Sequence, residues 1–335
     1  MHVHDLPTPA LVIDADAFEH NLATMAAALP GGRLRPHVKA HKTTAIAAAQ
    51  ARHGHRTFTC ATPREVIGMA AAGLGDDLLL ANETLDPHRL RAMAALDGQA
   101  LVTVAVDSDD TIDAAVAAGI RHVLIDVNIG LPRCGCDPAD AGRLADRARA
   151  AGMEVRGVMG YEGHIMGVSD RAERAGKLPG CVDLLLAAQD LVGGEIISSG
   201  GTGTYDLHDA RVTEVQAGSY VLMDTAYQAL GLPFRQALFV ETTVIASSKW
   251  AVCDAGLKSL GMDHGNPSID GATVWFCSDE HTTFSMNDGA PLPRPGDRVR
   301  VQPAHVDPTM ALHERVHLIS GDDVVETWPI ELRGW

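Results

Sequence analysis

From about residue 34 to residue 216, short β-branched runs alternate with alanine-rich amphipathic stretches, and this alternation constrains the fold more than any other feature of the chain. The pattern predicts strands over 34–38, 57–60, 77–80, 101–106, 122–127, 154–159, 195–198 and 213–216. Between them it predicts helices over 43–52, 63–72, 86–96, 108–118, 139–151 and 181–191. Pro63 follows Thr62 and Pro138 follows Asp137, as a proline does in the first turn of a capped helix. Gly54, Gly73, Gly119 and Gly152 each fall just past a helical run, where a left-handed cap is needed. Eight strand–helix units predict an α/β fold of the (β/α)8 TIM-type barrel class. A doubly wound sheet would more readily carry GxGxxG straight after its first strand, and that motif is absent there.

After about residue 234 the pattern changes. Strands are predicted over 239–247, 249–253, 272–277, 297–302, 315–319 and 324–331, joined by proline, glycine and asparagine turns. The expected organisation is therefore a barrel over 14–234 and a C-terminal all-β domain over 235–335. The N-terminal residues 1–13, with their ALVID segment, are expected to join the β domain ahead of a first helix at 15–29.

A chain of 335 residues can bury a substantial core. Its 27 Lys and Arg against 43 Asp and Glu leave a net charge of -16, which argues against nucleic acid and anionic membrane surfaces as partners. The start carries no basic region followed by an apolar run, and no stretch approaches membrane-spanning length, so a soluble cytoplasmic protein is expected. Six scattered cysteines fit reduced thiols better than a disulfide scaffold. Cys134 and Cys136 have no second ligand pair at zinc spacing and are read as small packing residues.

The chemistry begins in LRPHVKAHKTT, residues 34–44. Period-two alternation sends Lys39, His37 and His41 to one side of a strand and leaves Val38 to pack behind. A lysine there is either paired or chemically used. Burial lowers an amine's pKa and leaves it nucleophilic towards an aldehyde cofactor. Arg133, Tyr161, His164 and the loop SGGTGTY (199–205) also follow predicted strands, where a barrel carries its chemistry. Around Gly201, Thr202 and Gly203 the loop offers successive backbone N–H groups with little side-chain obstruction, plus the Thr202 and Thr204 hydroxyls. Gly218, Ser219 and Tyr220 form a second small-residue turn after the eighth strand. Two such loops and a reactive lysine point to a phosphorylated aldehyde, pyridoxal 5'-phosphate.

In QPAHVDPTMALHE, His305 and Asp307 are two residues apart; on an extended segment they would face one way and bind a single divalent cation. Mixed nitrogen and oxygen ligation suits zinc, manganese or cobalt. The nearby DEH at 279–281 is a candidate for a further ligand, a supporting group or a substrate contact.

Taken in order, RPHVKAHKT, GLPRCG (130–135), GYEGH (160–164), SGGTGTY, EVQAGSYVLMD (214–224), DEH and HVDPT resemble the D-threonine aldolase group of fold-type III pyridoxal-phosphate enzymes, related to alanine racemase and to eukaryotic D-serine dehydratase. The resemblance spans nearly the whole chain. It implies an alanine racemase-like barrel with a β domain, Lys39 as the lysine that holds the cofactor covalently, with Lys42 as the competing choice, and His305 and Asp307 as ligands of a divalent metal (manganese, zinc, cobalt or magnesium). It further implies a homodimer acting on a small β-hydroxy amino acid, cleaved to glycine and an aldehyde. In the related dehydratases the second metal ligand resembles a cysteine, so Asp307 favours the aldolase. In that mechanism His164, or a water on the metal, is the candidate base; Arg133 is assigned to the cofactor's phenolic oxygen or the substrate carboxylate, and Tyr161 to the cofactor's side. A metal-dependent D-serine or D-3-hydroxyaspartate dehydratase is the alternative. A metal-free amino-acid racemase and a non-catalytic pyridoxal-phosphate binder stand behind it.

Overall fold

A computed structural model describes residues 1–335. In chain order its strands are β1 (Ala10–Asp14), β2 (Thr57–Cys60), β3 (Asp77–Leu80), β4 (Val102–Val106), β5 (His122–Asp126), β6 (Glu154–Met159), β7 (Ile196–Ser199), β8 (Glu214–Val215), β9 (Leu238–Ser247), β10 (Ala251–Cys253), β11 (Ala272–Cys277), β12 (Thr282–Met286), β13 (Arg298–Val301), β14 (Arg315–Ser320) and β15 (Asp323–Pro329). The helices are α1 (Ala15–Ala28), α2 (Thr44–Arg52), α3 (Pro63–Ala71), α4 (Pro87–Ala94), α5 (Asp109–Ala118), α6 (Ala141–Ala150), α7 (Arg171–Val192), α8 (Thr225–Gln228) and α9 (Val306–Leu312). Two compact units result, one of residues 25–39, 44–218 and 334–335, the other of 1–24, 40–43 and 219–333.

The first unit is the barrel. Strands β2 to β8 pair in sequence order and are all parallel. Every residue of β4 is buried, as expected of a parallel strand covered on both faces. Thr62 caps α3, with Pro63 in its first turn, and Ser108 caps α5, which ends on left-handed Gly119.

The predicted first strand, 34–38, does not form as a continuous strand. Leu34 bridges Val215 and His37 bridges Thr59, with Arg35 N–H donating to Val215 O (2.9 Å) and Thr59 N–H to Pro36 O (2.9 Å). These isolated bonds link β8 to β2 and close the barrel. Pro36 has no N–H to extend the ladder, and the chain turns at once into a 3-10 helix, Val38–Ala40. Lys39 thus stands on a turn, and strand alternation does not set its direction.

Helix α7 also departs from expectation. It starts well before Pro179, because Asp170 caps it by accepting the Glu173 N–H at 2.7 Å, and it carries Pro179 inside its length.

At the amino ends of the strands the barrel interior is plugged by charge. Arg35, its side chain 2 % exposed, donates through Nε to Glu214 (2.8 Å) and through Nη1 to Asp77 (3.1 Å). Arg156 bonds Asp77 (2.7 Å) and Thr103 (2.6 Å). Buried charges on this scale persist only as a satisfied network.

The second unit is a mixed sheet in the order β11-β12-β10-β9-β1-β14-β15, with β13 also on β9. Its N-terminal strand β1 is central, antiparallel to β9 and parallel to β14, and Val12 packs with Val3, Leu6, Ala10 and Ile319. The unit extends back to Ser219 and takes in residues 14–24, beyond the 235 boundary and the 1–13 extension read from the sequence. Strand β12 was not anticipated.

Candidate active site

In the barrel unit, the candidate groups gather in the loops that follow the carboxyl ends of the strands. Lys39 is half-buried, with its own N–H directed at His37 Nδ1 (3.4 Å). In the second unit, the rival Lys42 adopts φ 51° and its carbonyl accepts from Leu332 N–H at 3.0 Å.

The SGGTGTY loop leaves β7 and folds over a buried carboxylate that sequence reasoning missed. Glu162, fully buried, accepts from Ser199 Oγ (3.0 Å), Gly200 N–H (3.2 Å), Thr204 Oγ1 (2.6 Å) and His208 Nε2 (2.9 Å). Burial pushes the Glu162 carboxyl up, but these bonds and the charge of His208 prevail and hold it below the usual glutamate range. Thr204 is therefore committed to Glu162, not offered to a ligand as the loop sequence implied. The Gly203 N–H meets only the Met166 sulfur (3.1 Å), a weak acceptor that an anion displaces readily.

Close approach explains the glycines of both loops. A Cβ on Gly201 would press on the Met166 sulfur at 3.0 Å and reach the Tyr161 ring at 3.6 Å; one on Gly218 would strike the His37 carbonyl at 2.4 Å. The weakly engaged Gly203 N–H fits an oxygen of a phosphate dianion.

Arg133 lies over the Tyr161 ring, 5.3 Å from its centroid, so Arg133, Tyr161 and Gly201 come together. His164 packs against Gly130, and its Nε2 lies 3.8 Å from Cys181 Sγ. At the end of β5, burial, the charge of Glu83 and a hydrogen bond with it push Asp126 well above the ordinary carboxylate range. Cys134 is pushed up to about 11 by burial and by Glu83, and Cys136 to about 12 by burial and Asp126, so both are inert thiols in the loop. All six cysteines are free.

In the second unit, His305 and Asp307 are brought together by a different device from the one expected. The segment is not extended: His305 is the N-cap of α9 and Asp307 lies in its first turn. His305 Nε2 and Asp307 Oδ1 are 4.0 Å apart, with side chains 20 % and 15 % exposed. Metal–ligand bonds run about 2.0–2.2 Å, so one cation between them reaches both. Ser219 Oγ donates to Asp307 Oδ1 (3.4 Å), and buried Asp224 accepts the Val306 N–H (2.9 Å) between the two residues. Tyr220 is buried, its ring 5.5 Å from that of Phe234.

Two neighbours were not anticipated: Asp263, bonded to His305 Nδ1 at 2.7 Å, and His264, stacked on the His305 ring at 3.9 Å. The DEH motif lies instead in the turn between β11 and β12, where Glu280 and Asp279 pair with Lys258 (2.6 and 3.9 Å).

The alanine racemase N-terminal domain family matches residues 13–226, and a serine dehydratase domain family matches 237–319. D-threonine aldolase of Arthrobacter sp. is 34% identical over 98% of this chain and 93% of its own length. The chain belongs to the D-threonine aldolase family. The crystal structure of D-threonine aldolase from Filomicrobium marinum superposes with a TM-score of 0.92 at 35% identity, covering 99% of this chain and 96% of that one. D-threo-3-hydroxyaspartate dehydratase from Delftia sp. HT23 superposes with a TM-score of 0.88 at 28% identity over 100% of both chains. Structures of that dehydratase include a histidine-to-alanine mutant and, two positions further along, a cysteine-to-alanine mutant in the metal-free form. The alanine racemase-like fold of the family is the architecture described above. No helix is long and apolar enough to cross a membrane.

Proposed function

We propose that this chain is a pyridoxal-phosphate- and divalent-metal-dependent lyase that cleaves a D-β-hydroxy-α-amino acid of the D-threonine type to glycine and an aldehyde. The observation that carries the reading is the carboxylate of Asp307 beside His305. Solved dehydratase structures include a histidine mutant and, two positions on, a cysteine mutant in the metal-free form; the pair in this chain has the same spacing, with an oxygen donor in place of sulfur.

When bound, the pyridoxal ring supplies an electron sink at Cα and the cation an acidifying contact for the β-hydroxyl. Lys39 supplies the amine that holds the cofactor. In the barrel unit Gly201, Thr202, Gly203 and Gly218 would hold its phosphate, and Arg133 and Tyr161 would contact the cofactor. His305 and Asp307 hold the cation, and His164 takes the hydroxyl proton. The proposal extends to a homodimer in the cytoplasm.

A dehydratase is the second reading, supported by the similarity to the Delftia enzyme. It would expel the hydroxyl and release a keto acid and ammonia. Incubation with D-threonine, D-phenylserine, D-3-hydroxyaspartate and D-serine, with and without a chelator, separates them. Aldehyde and glycine that vanish with chelator support the aldolase; ammonia without aldehyde overturns it.

A further inference from the structure

The Asp263 carboxylate approaches His305 Nδ1 with both oxygens, at 2.7 and 2.9 Å. It gets there by backbone pairing: Gly261 bridges His305 in antiparallel register, and Asp263 follows Gly261 by two residues. The pairing is locked from the other side, since Thr309 Oγ1 donates to His305 O (2.7 Å) and accepts Gly261 N–H (2.9 Å). A Cβ on Gly261 would collide with Pro308 at 2.4 Å, so the two segments are in close contact. The ring plane is fixed as well, by His264 stacked at 3.9 Å and 12°.

A carboxylate against Nδ1 can only be met by an N–H, because it has no proton of its own to give. The ring is then held in the tautomer whose Nε2 carries the lone pair, and Nε2 is the atom that faces Asp307. We infer that Asp263 is a positioning residue for metal binding: it fixes the tautomer and plane of His305 so that Nε2 and Asp307 take the cation, and it raises the basicity of the ligating nitrogen. This deepens the metal-site reading above and rests on it. The rival arrangement uses the same side chains differently: Asp263, His264 and His305 have ligand atoms within 4.8 Å of one another and would hold a cation on the Nδ1 side without Asp307.

The test is a manganese titration of the full-length, pyridoxal-phosphate-loaded protein after chelator treatment, read by the EPR signal of free Mn2+, with unfolding temperature measured in chelator. Asp263→Asn is expected to weaken Mn2+ binding about tenfold and Asp263→Ala up to about 100-fold, the range for loss of such a partner, with the metal-free unfolding temperature unchanged. Asp307→Ala abolishes binding, and His264→Ala has a small effect. A second readout bypasses the metal: in 15N-histidine spectra of the chelator-treated protein, the His305 signal, identified by its loss in His305→Gln, reports an Nδ1–H ring that shifts toward Nε2–H in Asp263→Ala.

Undiminished Mn2+ affinity in both Asp263 variants overturns the inference while leaving the metal site standing. Loss of binding in His264→Ala with retention in Asp307→Ala overturns it in favour of the Nδ1-side site. A native protein that takes up no Mn2+, zinc or cobalt overturns the inference and the metal-site reading together.

Discussion

Glu162 and His208 form a fully buried pair, Oε1 to Nε2 2.9 Å, directly under the glycine loop that follows β7. The remaining lone pairs of Glu162 are filled by Ser199, Gly200 and Thr204, so a single carboxylate fixes both ends of the loop proposed to hold the cofactor phosphate.

Glu162→Ala is therefore expected to cost about 3–5 kcal/mol, the usual penalty for stranding one partner of a buried pair. Glu162→Gln keeps the shape but loses the charge, and should retain the fold while weakening cofactor retention. Chemical denaturation gives the first quantity, and pyridoxal-phosphate release on dilution gives the second. Equal cofactor retention in native protein and Glu162→Gln would show that the loop does not depend on this carboxylate.

The charged plug in the barrel makes a pH prediction. Burial pushes the Asp77 carboxyl up, but hydrogen bonds and charge from Arg156 and Arg35 prevail and hold it below the ordinary value. Glu162 is shifted in the same direction. A carboxyl whose folded pKa lies below its unfolded value, about 3.9 for Asp and 4.3 for Glu, adds stability above that value and loses it as pH falls through the folded pKa. Unfolding free energy should thus decline with acid below about pH 4–5. Asp77→Asn should flatten that decline and lower stability at neutral pH. An unchanged acid limb in Asp77→Asn would remove Asp77 from the account.

The two lysines differ in a way that one spectrum resolves. Lys39→Ala should abolish the yellow absorbance of bound cofactor, whereas Lys42→Ala should keep it. The reverse result moves the covalent attachment to Lys42.

Much of the barrel was legible because parallel strands are short apolar runs whose helices carry their caps in sequence: β2, β3 and β6 fall where the runs fall, and Thr62, Ser108 and Gly119 mark real helix ends. The segment around Lys39 was misread for a local reason, since Pro36 stops the ladder and the lysine lands on a 3-10 turn. His305 and Asp307 come together on a helical turn and not on the extended segment expected, because Pro308 stands in the first turn of α9, where its missing N–H costs nothing. Asp263 and His208 left no sequence signal, and Glu162 sits inside the GYEGH motif with nothing in the sequence to mark it as a buried carboxylate. Asp263 meets a histidine 42 residues away, and His208 a glutamate 46 residues away, through pairings that only the folded backbone creates.

The central claim is that Lys39 and the His305–Asp307 pair serve one carbon–carbon cleavage. It is tested most directly by measuring acetaldehyde released from D-threonine by Asp307→Ala while monitoring the visible absorbance of the bound cofactor. The account predicts full absorbance with acetaldehyde release lost. Full absorbance with undiminished acetaldehyde would contradict it.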